Sequence, residues 1–233
     1  MFRKIIVATD LSKTSDAVID CLVGLRTVGA EQAVLVHALG LRHLEDMAPY
    51  LASLAEPRLA EQKAALERQG FTTTVKVAPR VPMLEVNRIA VDEEASLIVV
   101  GSHGASCTAE VLLGGAALAI LHHATLPVLV ARLKITEAKS VHRCEVACRD
   151  FFQQILFPTD FSATAENAFL YVEWIVKQGA KNITLMHVQE KSDLSKYMEH
   201  RLEEFNQIDR ERLEMMRDRL LKFGATNVQI EIP

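Results

Sequence analysis

The chain has 233 residues, of which 49% are apolar and 24% charged, and 26 Lys or Arg against 30 Asp or Glu give a net charge of −4. At roughly 100–200 residues per domain, this length suits one large or two modest domains. Nothing resembles the basic stripe of a nucleic-acid-binding protein or the run of about 20 apolar residues that spans a membrane, so neither partner is expected. An aspartate at position 10, too early for a signal peptide, and only four cysteines predict a reduced, cytoplasmic protein.

An internal repeat organises the chain. Residues 5–39 and 155–189 align without gaps at an offset of 150, and 70–79 match 224–233 at an offset of 154. Identical positions include Thr9/Thr159, Asp10/Asp160, Ser12/Ser162, Gly29/Gly179 and His37/His187. The repeat predicts a duplication, with one domain at 1–135, a polar linker at 136–150 and a partial second domain at 151–233.

The elements common to both copies come first in chain order. Each copy opens with an apolar run that predicts a buried parallel strand, followed by Ser12 or Ser162 as a helix N-cap. The helix ends at Gly29 or Gly179, where glycine can adopt the left-handed conformation. A second strand, a longer helix and a third strand follow, the strands at 33–38 and 73–77 in copy one and at 183–188 and 227–232 in copy two.

Only the first copy continues beyond this point. Pro82 is placed to open a third helix, and residues 97–100, 115–123 and 128–131 predict a strand, a helix and a fifth strand. Alternating strands and helices indicate an α/β fold with a doubly wound, parallel five-stranded sheet of flavodoxin-like kind. The second copy lacks these elements, so its sheet should expose an apolar face and an unpaired edge. Missing residues, the first copy or a dimer mate could each cover that face.

A glycine-rich segment follows the fourth strand. It begins Gly101-Ser102-His103-Gly104, and Gly114-Gly115 opens the next helix. Carboxyl ends of strands are where open α/β sheets place ligands, and free amides at a helix N-terminus attract phosphate. Asp10 could accept a hydrogen bond from a ribose hydroxyl or an adenine amino group. The glycines alone could equally shape a tight connection, and there is neither a Walker A motif nor a G-x-G-x-x-G after the first strand.

Three motifs taken together are more specific than the glycine-rich segment alone. Thr-Asp-x-Ser after the first strand, Val-His-Ala in the second, and Gly-x2-Gly-x9-Gly-Gly resemble the universal stress protein family, over residues 2–134 nearly throughout and over 151–233 as a first half. The resemblance implies an adenine nucleotide alpha hydrolase-like fold and a site for ATP or another adenine nucleotide, with or without Mg²⁺. It places around the nucleotide Ala8, Thr9, Asp10, Ala38, Val100, Gly101, Gly104, Gly114, Gly115 and Ala116.

Two positions depart from the family's pattern. Gly115 stands where a Ser or Thr would donate a hydroxyl to phosphate, and Ala105 stands where a basic residue is frequent. One neutral side-chain hydrogen bond contributes about 0.5–1.5 kcal/mol, so the resemblance implies weakened rather than abolished binding. It also implies a homodimer, formed through the strand at 128–131.

Three functions follow from this reading. The first is a stress-response protein that binds ATP in its first copy and acts as a regulator or sensor. The alternative is a nucleotide-independent dimerisation or interaction module, which Gly115 and Ala105 favour. Slow ATP hydrolysis is the third, but no P-loop lysine, base or acidic metal ligand stands near the loop.

The predicted linker contains potential metal ligands, and one histidine recurs in both copies. His142, Cys144 and Cys148 could bind a soft metal, but no second cysteine pair completes a zinc site, so reduced thiols in a linker are the simpler interpretation. His37 and His187 recur in both copies, including the copy without the loop. That recurrence predicts a structural role in packing or hydrogen bonding.

Overall fold

The computed structural model describes residues 1–41, 45–102, 113–138, 141–146, 151–188 and 202–233. The chain divides into two compact units, Met1–Arg149 and Asp150–Pro233. Each unit is built on a parallel sheet of its own. Within the described part of the chain, no helix combines the length and apolar character needed to cross a membrane.

The first unit contains the predicted doubly wound sheet. Its order is β3-β2-β1-β4-β5, with β1 at Lys4–Thr9, β2 at Gln32–Ala38, β3 at Thr72–Ala78, β4 at Leu97–Gly101 and β5 at Val128–Ala131. Ile5, Ile6 and Val7 are fully buried, as expected of a strand covered on both faces. Strand order reverses between β1 and β4, which places the topological switch point at their carboxyl ends.

Helices cover both faces of this sheet. They are α1 (Lys13–Ile19), α2 (Ala48–Arg68), α3 (Pro82–Asp92) and α4 (Gly115–His123), with 3-10 helices at Leu22–Val28 and Glu45–Met47. Val86, Ile89 and Ile120, from α3 and α4, join a core cluster with Ile6 and Val100 of the strands. Pro82 opens α3 as predicted.

The first helix differs from the prediction. The Ser12 N-cap is confirmed, since its hydroxyl accepts a hydrogen bond from the Ser15 amide, and the helical region does end at Gly29 with φ of 79°. The single helix predicted between them is wrong, because α1 stops at Ile19 and a 3-10 helix follows. Gly24 and Thr27, both weak helix formers, lie in the segment that forms the tighter 3-10 helix.

The segment predicted as a linker carries regular structure. β6 (Leu133–Ala138) and β7 (Val141–Val146) pair antiparallel. The compact first unit extends to Arg149 and includes both strands. β-branched residues in this stretch favour extended backbone, a signal that its polar composition obscured.

The second unit repeats the first half of the first. Its parallel strands β8 (Ile155–Pro158), β9 (Asn182–Met186) and β10 (Asn227–Glu231) lie in the order β10-β9-β8, matching β3-β2-β1. Its helices are α5 (Ala163–Lys177) and α6 (Leu202–Lys222). The arrangement fits the predicted incomplete second copy.

The helices of the second unit bury one side of its sheet. Leu213, Met216 and Leu220 of α6 are buried, as their spacing predicts, whereas Ile208 of the same pattern is exposed. The side chains of Leu202 and Phe205, also in that pattern, lie outside the described ones.

The described helices of the second unit pack on one face of its sheet, and Leu156 lies on the other face. Leu156 of β8 is 57% exposed, whereas Ile6, its match at an offset of 150, is fully buried under α3 and α4. Among the described residues, β8 pairs only with β9, so its other edge has no strand beside it. The exposed apolar residue and unpaired edge agree with the expectation from the sequence.

Candidate functional site

A cavity of about 410 Å³ opens at the carboxyl ends of β1, β2 and β4. This volume lies within the range of about 300–1,000 Å³ usual for small-molecule sites. The structure brings together nine of the ten residues that the resemblance placed around a nucleotide, namely Ala8, Thr9, Asp10, Ala38, Val100, Gly101, Gly114, Gly115 and Ala116. The tenth, Gly104, lies outside the described residues.

Further residues complete the cavity wall. They are Ser15, Val36, Pro82, Val86, Ser102, Ala117 and Ile120. The two-residue period of a strand would have found Val36 from Ala38, and helical spacing would have found Ile120 from Ala116. Pro82 and Val86 belong to α3, and no local motif signals that this helix reaches the site.

Asp10 is held by a tight turn between β1 and α1. Its Oδ1 accepts hydrogen bonds from the Ser12 amide at 3.1 Å and from the Ser15 hydroxyl at 2.6 Å. Leu11 adopts a left-handed backbone with φ of 63°, and its amide donates to Thr9 Oγ1 at 3.0 Å. The turn therefore fixes a carboxylate, an acceptor for ligand hydroxyl or amino groups, at one wall of the cavity.

The N-terminus of α4 forms another part of the wall. Its N-cap is Gly114, which has no side chain to cap the helix, and whose own amide donates to Ser102 O at 2.7 Å. Within the described chain, no side chain accepts from the first-turn amides of Gly115, Ala116 and Ala117. Free amides and the helix dipole make this end attractive to an anion.

The walls elsewhere are mainly apolar. Aliphatic side chains from two strands and two helices supply them, namely Val36, Val86, Val100 and Ile120. Asp10 is the charged residue among the described lining residues. The cavity thus suits a ligand with a flat apolar part, hydrogen-bond donors and an anionic tail.

The second unit repeats the turn that follows the first strand. Phe161 has φ of 59°, its amide donates to Thr159 Oγ1 at 3.0 Å, and the Ser162 amide donates to Asp160 Oδ1 at 2.9 Å. The Ser162 hydroxyl and amide hold the pKa of the Asp160 carboxyl below its usual range. Val188, the counterpart of Ala38, is mostly exposed. Thr159, Asp160 and Val188 occupy the positions that correspond to Thr9, Asp10 and Ala38, and their role as half of a nucleotide site stays a prediction.

The paired histidines have the predicted structural role. Nδ1 of His37 lies 3.0 Å from Thr9 O, and Nδ1 of His187 lies 2.7 Å from Thr159 O. Each bond joins the end of the second strand of its copy to the end of the first. The turn that follows each first strand is therefore anchored in the same way in both units.

The candidate metal ligands of the predicted linker lie outside the described side chains. The side chains of His142 and Cys144, and all of Cys148, lie outside what the structure describes, as does His103 of the glycine-rich segment. Among the described residues, no group of three or more His, Cys, Asp and Glu could hold a metal ion.

Comparison with known proteins assigns the chain to a family. The sequence profile of the Universal stress protein family matches residues 1–132, more than half of the chain. Universal stress protein MJ0577 of Methanocaldococcus jannaschii is 26% identical over 157 residues, which cover 58% of this chain and 97% of that protein. The solved structure of hypothetical protein MJ0577 matches with a TM-score of 0.52 at 28% identity, over 58% of this chain and 99% of that one.

A longer likeness involves both units. The crystal structure of a universal stress protein from Archaeoglobus fulgidus matches over 99% of this chain and 77% of that one, with a TM-score of 0.70 at 24% identity. This identity supports the likeness of fold alone. The profile match and the five-stranded sheet together show that the chain belongs to the universal stress protein family.

Proposed function

We propose that the first unit binds an adenine nucleotide, ATP foremost, and that the protein acts as a nucleotide-dependent regulator or sensor in a stress response. The observation that carries this proposal is the cavity itself. It joins the Asp10 carboxylate, apolar walls and the N-terminus of α4, whose N-cap residue is a glycine, in one space of about 410 Å³. Membership of the family supports the assignment to stress.

Each part of the nucleotide has a matching wall. Adenine would pack against Ala38 and the aliphatic side chains, while a ribose hydroxyl or the adenine amino group would donate to Asp10. The phosphates would accept from the first-turn amides of α4, as anions do at helix N-termini. Mg²⁺ would enter with the phosphates and offset their charge, because no lysine or arginine is among the described lining residues.

A nucleotide-independent interaction module is the second candidate. Gly115 favours it, because a hydroxyl is absent from the helix end that would bind phosphate. In this account the protein would form a homodimer through β5, which is the outer strand of the five-stranded sheet. The dimer would then persist with no nucleotide present.

The first experiment is calorimetric titration of the full chain with Mg-ATP. We expect micromolar binding that is at least about tenfold weaker in Asp10→Ala, since a hydrogen bond to a charged group contributes about 1.5–3 kcal/mol. Asp160→Ala removes the matching carboxylate from the second unit and should leave the affinity unchanged. Folded wild-type protein that gives no heat at two temperatures would overturn the proposal in favour of the interaction module.

Gly115→Ser should strengthen nucleotide binding. A Cβ added at Gly115 would have no heavy atom within 4 Å, so the hydroxyl can be introduced without a clash. A new hydrogen bond of about 0.5–1.5 kcal/mol would raise the affinity by about 2- to 12-fold. Gly115→Ala adds the same Cβ without the hydroxyl and is the control. Equal gains in both variants would show that helix propensity, not contact with phosphate, is responsible.

A further inference from the structure

A network of hydrogen bonds, buried at Thr9 and Gln62 and partly exposed at Asp16 and Arg58, runs from the cavity wall to α1 and α2. The Thr9 hydroxyl donates to Gln62 Oε1 at 2.8 Å, and Gln62 Nε2 donates to Asp16 Oδ1 at 2.8 Å. Arg58 completes the chain by donating from Nη2 to Asp16 Oδ2 at 2.6 Å. Gln62 is only 2% exposed and is not among the residues that line the cavity.

The direction of every bond in this chain follows from its charged end. The Asp16 carboxylate can only accept, so the amide of Gln62 must turn its NH₂ group toward Asp16 and its oxygen toward Thr9. The Thr9 hydroxyl must therefore donate to Gln62. Its oxygen then keeps lone pairs for the Leu11 amide, which lies 3.0 Å away.

The Leu11 amide belongs to the turn that presents Asp10. Leucine adopts a left-handed backbone at an energetic cost, so this turn needs fixed partners. The Thr9 hydroxyl is one of them, and Arg58 Nη2 lies 3.5 Å from Leu11 O as another. Both partners belong to the hydrogen-bond network that includes Gln62 and Asp16.

We propose that Gln62 is a positioning residue for the nucleotide site, which acts through Thr9 and Leu11 on the placement of the Asp10 carboxylate. This inference rests on the proposed function for its ligand. It assigns a role in affinity to a side chain that lies 53 residues from Thr9 in the chain.

The second unit supplies a natural comparison. The helices α2 and α6 both have 21 residues, and at their common offset of 154 Gln62 corresponds to Met216, which is 6% exposed. A thioether cannot donate to a carboxylate, yet Phe161, which packs against the core cluster that contains Met216, adopts the left-handed conformation. An apolar side chain of this length is therefore compatible with the fold. The hydrogen-bond network of Thr9, Gln62, Asp16 and Arg58 is present in the unit that has the cavity.

Gln62→Met tests the proposal in the full chain, with two readouts. Titration with Mg-ATP should show about tenfold weaker binding, the size expected when the hydrogen-bond network that orders one charged contact is broken. In the ligand-free protein, the Leu11 amide hydrogen should exchange with solvent about tenfold faster, because the turn would open locally more often without the network. The Phe161 amide of the same molecule and the core amide of Val7 serve as internal controls and should keep their rates.

A double-mutant cycle separates positioning from general destabilisation. If Gln62 acts through Asp10, the Gln62→Met change should cost almost nothing more once Asp10→Ala is present. Additive losses, or unchanged binding in Gln62→Met alone, would overturn the proposal. If the wild-type chain binds no nucleotide, the proposed function fails by itself. The Leu11 exchange rate then decides the positioning role, and an unchanged rate would refute it.

Discussion

Ala38→Phe should weaken binding of Mg-ATP by about 100-fold, because the ring would occupy space that adenine needs. Ala38 ends β2 and lines a cavity of about 410 Å³, large enough to receive a benzyl group without displacing the core. The loss should therefore appear in affinity and not in folding. Titration of the variant beside wild-type protein, with circular dichroism of both, measures the two quantities separately.

Val188→Phe is the matched control for this change. Val188 occupies the corresponding position in the second unit, at an offset of 150, and is 60% exposed. The same ring added there should leave affinity unchanged. If Ala38→Phe bound Mg-ATP as tightly as wild-type protein, the nucleotide would have to lie outside the cavity, and the assignment of the site would be wrong.

Arg219→Met should destabilise the second unit by about 2 kcal/mol, because it leaves the buried Glu173 carboxylate without its cationic partner. Arg219 of α6 donates from Nε to Glu173 Oε1 at 2.8 Å, also pairs with Glu166, and lies 4.8 Å from the centre of the buried Phe169 ring. Glu173 is buried between the helices. Methionine keeps the stem of the side chain but leaves that charge without its cation.

The only tryptophan of the chain makes this stability measurable. Trp174 lies on α5, so its fluorescence during urea denaturation reports the second unit. Arg217→Met is the control, because Arg217 and Asp218 form a looser, exposed pair at 3.9 Å, of a kind that contributes little. Adding Glu173→Gln to Arg219→Met should recover about half of the loss. Equal midpoints for the Arg219 and Arg217 variants would refute this account.

Sequence patterns predicted most of the first unit because its signals are local. Apolar runs predicted the strands, Ser12 and Pro82 predicted helix starts, and nine of the ten residues that the family resemblance implied line one cavity. The break after Ile19 was missed because propensity differences of a few tenths of a kcal/mol per residue decide between α and 3-10 geometry.

Contacts between residues that are far apart in the sequence could not be predicted in this way. Val86 reaches the cavity only because α3 packs across the sheet beside α4. Gln62 looks like an ordinary polar residue of a solvent-facing helix until α2 is folded onto α1. Its match in the repeat, Met216, signals that the position is buried, but the sequence alone does not reveal which partners a buried amide would find.

The exposure of Leu156 has a thermodynamic consequence for the second unit. Because Leu156 already meets water in the folded state, unfolding hydrates less new apolar surface there than at Ile6 in the first unit. The heat-capacity increment of unfolding follows newly hydrated apolar area, so it should be smaller per residue for the second unit. The curve of its unfolding free energy against temperature should therefore be flatter. On cooling, the second unit should lose less stability than the first unit, whose sheet has helices on both faces.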